Sequence, residues 1–225
     1  MYAAEQPIPS RPMPPPERSE STFARMLAHP GVEEDVVLRG RFGFMAFHGG
    51  NLEAVTDVVA SAAARASGSS LYSVRQPPDL RWHVPSIAVS PSASDRLSRF
   101  LGHVDVVLAV HGYGRHGYWT TLLAGGGNRT LAQHVAGRLR GALPGYEVAD
   151  DLERIPRLLR GVHPDNPVNL APNGGVQLEL PPRVRGIGSF WDGAPFRCTQ
   201  ELCPDTDALI DALADAARTW TGTTT

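Results

Sequence analysis

The stretch Arg41-Phe42-Gly43-Phe44-Met45-Ala46-Phe47-His48-Gly49-Gly50-Asn51-Leu52-Glu53 decides how this chain reads. Phe42 to Phe47 is apolar at nearly every position, the pattern of a strand buried on both faces. The run stops at His48, and Gly49-Gly50-Asn51 reads as a turn. Beyond it, Leu52, Val55, Val58, Val59 and Ala62 recur at helical spacing, which predicts a helix over Leu52–Ala66. Buried strand, tight turn and amphipathic helix together make the repeating unit of a sheet covered by helices.

The same alternation extends along the chain. Strands are predicted at Ser70–Val74, Asp105–Val110, Tyr118–Ala124, Tyr146–Ala149 and Gly175–Leu180, with a weaker one at Ser86–Val89. Helices are predicted over Ser92–His103, from an Asn128 cap to Leu139, and over Asp205–Trp220. The expected fold is α/β: one domain, with a mixed, mostly parallel sheet and helices on both faces. Six prolines within the first 16 residues set off an N-terminal arm. That arm, 1–21, is expected to be disordered, and 22–225 to form the folded domain.

Composition removes several functions. Among 225 residues, 21 basic side chains face 23 acidic ones, a net charge of −2 that gives nucleic acid no basic surface. Every basic residue is arginine, so lysine Schiff bases and lysine-bearing phosphate loops are excluded. No apolar run is long enough to span a membrane, and the first residues lack a secretory pattern. A cytoplasmic location is the default expectation. Cys198 and Cys203 are too few for a disulfide framework and read as free thiols or an incidental local pair.

Three polar residues share one setting. His48 follows one apolar strand and His111 another, each directly before glycine, and Glu179 lies near the end of the strand Gly175–Leu180. Open α/β sheets bind ligands beyond the carboxyl ends of their strands, so these side chains can meet in one crevice. Glu53, just past the glycine turn, can fold back to the same point. Two histidines and a carboxylate form a catalytic zinc set with a position left for water, and a further carboxylate supplies a general base. Each residue alone has an ordinary reading too. A histidine beside an apolar run is commonly a hydrogen-bonded core residue. Glu53 suits a helix N-terminus, and Glu179 suits a charged edge strand.

The segment His48-Gly49-Gly50-Asn51-Leu52-Glu53-Ala54-Val55-Thr56 resembles the HGG-x-(I/L)-E-x-x-T signature of the poly-γ-glutamate hydrolase family, some members of which were once labelled phage-related replication proteins. Ala109-Val110-His111-Gly112 is similar to its later HG motif, and Gly174–Leu180 to its late strand ending in glutamate. Asn166-Pro167-Val168-Asn169 fits the asparagine-rich loop before that strand. The resemblance covers about Gly40 to Arg185. It implies a zinc carboxypeptidase-like fold, Zn²⁺ held by His48, Glu53 and His111, and Glu179 as general base. Two departures stand out. Trp82-His83-Val84-Pro85-Ser86 interrupts the family's His–Thr–Ser strand with a proline, and Ala54-Val55 replaces its usual proline-glycine.

A γ-glutamyl chain carries one free carboxylate per residue, so its hydrolase needs cations beside the metal. Arg183 and Arg185 are the expected forks, and Arg115 a further one. His83 is expected to line the pocket and Tyr113 to face a tetrahedral oxyanion. The remaining histidines, including His103, His116, His134 and His163, read as packing, capping or outer residues. The expected activity is metal-dependent hydrolysis of amide bonds in a polymeric or small glutamyl or peptide substrate. The alternatives are a deacylase or amidase acting on a small N-acyl or peptide substrate, and an inactive binding protein of the same fold.

Overall fold

The computed structural model describes residues 21–187 and 202–222. Residues 1–20 of the proline-rich arm and Cys198 lie outside the described residues. Cys203 is disulfide-bonded, a state that oxidising compartments favour.

Seven strands form one sheet: β1 (Glu33–Val37), β2 (Phe42–Gly50), β3 (Ser70–Gln76), β4 (Val106–Gly112), β5 (Thr121–Ala124), β6 (Glu147–Ala149) and β7 (Gly175–Leu180). Their order across the sheet is β1-β3-β2-β4-β7-β5-β6. β2 pairs parallel with β3 and β4, β4 with β7, and β5 with β6; β1–β3 and β5–β7 are antiparallel. The sheet is therefore mixed and mostly parallel, as expected.

The apolar run of β2 explains this arrangement. Phe44 and Ala46 point to one face, where they join Leu108 and Val110 of β4 and Val176, Leu178 and Leu180 of β7. That face is covered by α2 (Thr56–Ser67), α4 (Arg129–Ala142) and α5 (Pro204–Thr219). Met45 and Phe47 point to the other face, joining Val107 and Ala109 under α1 (Thr22–Leu27) and α3 (Asp95–His103). Each fully buried large apolar side chain contributes roughly 1.5–3 kcal/mol, so a strand with two buried faces anchors both layers. Ser94 and Asn128 accept hydrogen bonds from backbone N–H groups in the first turns of α3 and α4, which fixes where those helices start.

The structure adds α1, which the sequence pattern does not predict, and differs from expectation at β1, at Ser86–Ala88 and at the start of α2. β1 has the charge-rich sequence Glu33-Glu34-Asp35-Val36-Val37 of an edge strand, which lacks the apolar run used to find the others. Ser86–Ala88 forms a 3₁₀ turn in place of a strand. β2 continues through His48, Gly49 and Gly50, and α2 begins only at Thr56.

The late start of α2 frees residues 51–55 to form the turn that carries Glu53. Gly50 has φ +70°, and a Cβ there would lie 2.2 Å from the Gln76 carbonyl oxygen, so this position requires glycine. Val55 has φ 78°, the only positive value at a non-glycine among the described residues. A β-branched side chain in that region is strained. Val55→Gly should therefore raise stability by about 1 kcal/mol, the left-handed penalty less the entropic cost of glycine. Chemical denaturation measures this, and an unchanged or lowered midpoint would show that the turn stores no strain at Val55.

Candidate active site

Parallel pairing brings the predicted residues together. His111 sits opposite Glu179 across β4 and β7, and β2, which carries His48, is the other neighbour of β4. His48, His111 and Glu179 are all buried. The edge of Phe47 packs against both imidazoles, with ring centroids at 4.6 Å and 4.7 Å, and the two imidazole centroids stand 5.1 Å apart.

Glu53 joins them. Its Oε1 is 2.8 Å from His48 Nδ1, and its Oε2 is 3.3 Å from His111 Nδ1. The backbone N–H of Gly112 donates to the same Oε2 at 2.9 Å. Burial works to raise the Glu53 carboxyl, but His111 and His48 outweigh it and hold the group well below the usual carboxylate range. Burial opposes charge on His111 as well, yet Glu53 leaves its net shift upward.

The hydrogen-bond partners of His48 fix which of its ring nitrogens faces Glu53. Its Nε2 lies 2.8 Å from the Val84 carbonyl, which can only accept, so Nε2 carries the hydrogen. In the neutral ring Nδ1 then presents a lone pair to Glu53 Oε1. A cation is able to bridge two such lone pairs, 2.8 Å apart. Two imidazole nitrogens facing the two oxygens of one carboxylate are the donor types that zinc favours, so these residues fit the metal that the sequence implies. Donor atoms of His48, Glu53 and His83 also lie within 4.8 Å of one another, another set able to hold an ion. His83 is exposed, with its ring 5.0 Å from that of His48, and lines the mouth of the cluster. The buried ring of His111 is fixed by packing, which favours it over His83 as a permanent partner of Glu53.

Glu179 lies against this group. Burial pushes its carboxyl up to about 7, with His111 opposing the rise and Glu53 adding to it. A carboxyl tuned to that range exchanges protons readily near neutrality.

The predicted substrate residues are placed differently. Arg183 stacks over the Tyr146 ring at 5.9 Å, on the side where Tyr146 hydrogen-bonds Asp205 of α5. It is not brought to the histidine cluster. Arg185 is buried beside the cluster and donates to the backbone carbonyls of Ala54 at 3.0 Å and Tyr113 at 3.2 Å. It thus ties the turn after Glu53 to the loop after His111. A Cβ at Gly112 would come within 2.6 Å of its guanidinium, which is why glycine follows His111. The Tyr113 hydroxyl donates to the Thr121 carbonyl at 2.5 Å, so it is committed to the backbone rather than to an oxyanion. Sequence reasoning missed Gln177, whose amide donates to Glu179 Oε1 at 2.8 Å. The strand period of two was the available signal, since it puts positions 177 and 179 on one face.

A mixed sheet between two helical layers, with histidines and carboxylates gathered at the ends of adjacent parallel strands, gives the chain a carboxypeptidase-like fold. The fold matches a Burkholderia mallei structure assigned to the carboxypeptidases with a TM-score of 0.53, at 9% identity over 88% of this chain and 67% of that one. Two other structures are more similar. A bacteriophage poly-gamma-glutamate hydrolase has a TM-score of 0.67, with 21% identity over 83% of this chain and 87% of that one. The zinc-free form of YNDL has a TM-score of 0.64, with 20% identity over 84% and 90%. No curated protein matches the sequence closely enough to count as a relative. The profile of the poly-gamma-glutamate hydrolases matches residues 23–192, and the chain belongs to that family.

Proposed function

We propose that this protein is a zinc-dependent hydrolase that cleaves amide bonds, with γ-glutamyl linkages as its substrate class. The observation that carries this reading is the convergence of His48 Nδ1 and His111 Nδ1 on the two oxygens of one ionised carboxylate, with Glu179 paired to His111. His48, Glu53 and His111 would hold the ion. Bound there, zinc would lower the pKa of water and polarise the scissile carbonyl.

The protein's own groups do the rest. Glu179 takes a proton from the attacking water as the new carbon–oxygen bond forms. It then gives that proton to the departing nitrogen as the carbon–nitrogen bond breaks. The Gly112 N–H keeps Glu53 oriented, and Arg185 keeps the two loops in register. Family membership supports the γ-glutamyl substrate. One observation favours a second reading, a small N-acyl or peptide substrate. Arg183 and Arg185, the cations expected to receive a polyanion, are engaged with Tyr146 and with backbone carbonyls.

Metal analysis of the purified protein, followed by hydrolysis of γ-linked and α-linked glutamyl oligomers and simple N-acyl amino acids, tests both readings. One zinc per chain is expected, with cleavage of the γ-linked oligomers that a chelator abolishes and added zinc restores. Cleavage of N-acyl amino acids alone would replace the substrate assignment. Full activity in a metal-stripped protein would overturn the mechanism.

A further inference from the structure

Behind the general base lies a buried chain of side-chain amides that no step above uses. Gln177 and Glu179 sit two residues apart on β7, facing the same side of the sheet, and both are buried. The Gln177 amide nitrogen donates to Glu179 Oε1 at 2.8 Å. A carboxamide can present either end to its neighbour, and only the nitrogen end suits a carboxylate. Asn166 decides which end it is. Its own amide nitrogen donates to Gln177 Oε1 at 2.7 Å, which forces the Gln177 nitrogen toward Glu179. Asn166 is oriented in turn by the turn it caps, where its Oδ1 accepts from the Val168 N–H at 3.2 Å. Gly161 closes the far side, since a Cβ there would lie 2.6 Å from Gln177 Cβ.

We propose that Gln177, set by Asn166, is a positioning residue that pins one oxygen of Glu179 and leaves the other free for the reacting water. This rests on the reading of Glu179 as base. Three features support it. The bond links two buried side chains, so solvent cannot substitute for the donor when it is lost. The donor is neutral, so it orients the carboxylate without the neutralising charge that an arginine would bring. The relay ends on a backbone turn outside the metal cluster, so it can be broken without touching His48, Glu53 or His111.

Gln177→Leu keeps the volume and removes the donor. It should lower kcat by about 100-fold, the scale of a misplaced general base, with KM within twofold and zinc content unchanged. Asn166→Asp keeps the acceptor for Val168 but removes the donor to Gln177, so kcat should fall by about tenfold with the same unchanged KM and zinc. The second variant tests the idea even if the first fails to fold. A folded, zinc-loaded Gln177→Leu or Asn166→Asp enzyme with kcat within twofold of the parent would overturn the proposal. So would a fall in kcat that tracks loss of zinc. Glu179→Gln measured in parallel separates the two levels. If that variant turns over normally, the base assignment has failed; if it is inactive while Gln177→Leu is fully active, only the positioning role has failed.

Discussion

Glu179→Gln should reduce turnover by about a thousandfold while leaving zinc content and KM nearly unchanged. General-base contributions run from about 10² to 10⁴, and this carboxyl has the geometry for the upper part of that range. It is fully enclosed, it sits opposite His111, and burial has brought it up to about 7. Glutamine keeps its size and its ability to accept from Gln177, so packing is preserved. It cannot take a proton, so only the chemical step is lost. Steady-state kinetics with zinc analysis on the same sample reads the outcome. A variant that retains more than a tenth of wild-type kcat would remove Glu179 as base and return the role to another group near the mouth of the site.

This prediction could be made from the sequence because strand ends in an α/β sheet are addressed by simple rules. Two apolar strands ending in histidine, and a third bearing a glutamate, locate a crevice without coordinates. The parallel register of β4 and β7 then places His111 against Glu179. Glu53 was harder to place by pattern. Helical periodicity began at Leu52, yet the turn over residues 51–55 overrides it, with Val55 in a strained conformation and Gly50 where no side chain fits. Hydrophobic spacing reports which residues a helix would bury and says nothing about a loop that must present a carboxylate.

The substrate arginines show the opposite limit. Arg183 and Arg185 lie two residues apart, so strand geometry continued through Pro181-Pro182 would place both guanidinium groups on one face. The prolines end β7 and a 3₁₀ turn follows at Arg183–Arg185, so the two guanidinium groups go to different places. Net charge and spacing identify a cation but not its partner. For Arg185 the partners are carbonyl oxygens beside Glu53 and His111, which no sequence rule would have supplied. β1 escaped notice for a similar reason, because an edge strand needs only one apolar face and its charges serve the open side.

The histidines allow a sharper test of the metal site, since two different trios of side chains can enclose an ion. His111→Ala should weaken zinc binding by more than about 100-fold. Loss of an outer partner alone costs 10- to 100-fold, and here a direct donor goes. His83→Ala should leave the affinity within about fivefold. The argument rests on burial and preorganisation. His111 is held by Phe47 and by the backbone of β4, and its Nδ1 faces a carboxylate already ionised by its surroundings. His83 is exposed and would have to give up its freedom to bind, which costs entropy that His111 has already lost on folding. Partial loss of solvent at the mouth of the site and the nearby His48 also lower the tendency of His83 to take a proton, so near neutrality it is a neutral ring able to touch substrate at the rim. Zinc competition with a chromogenic chelator gives both affinities on folded protein. If His83→Ala empties the site and His111→Ala does not, the ion belongs with His48, Glu53 and His83. His111 would then hold Glu53 in place from behind, and the catalytic geometry would have to be rebuilt around a more open metal.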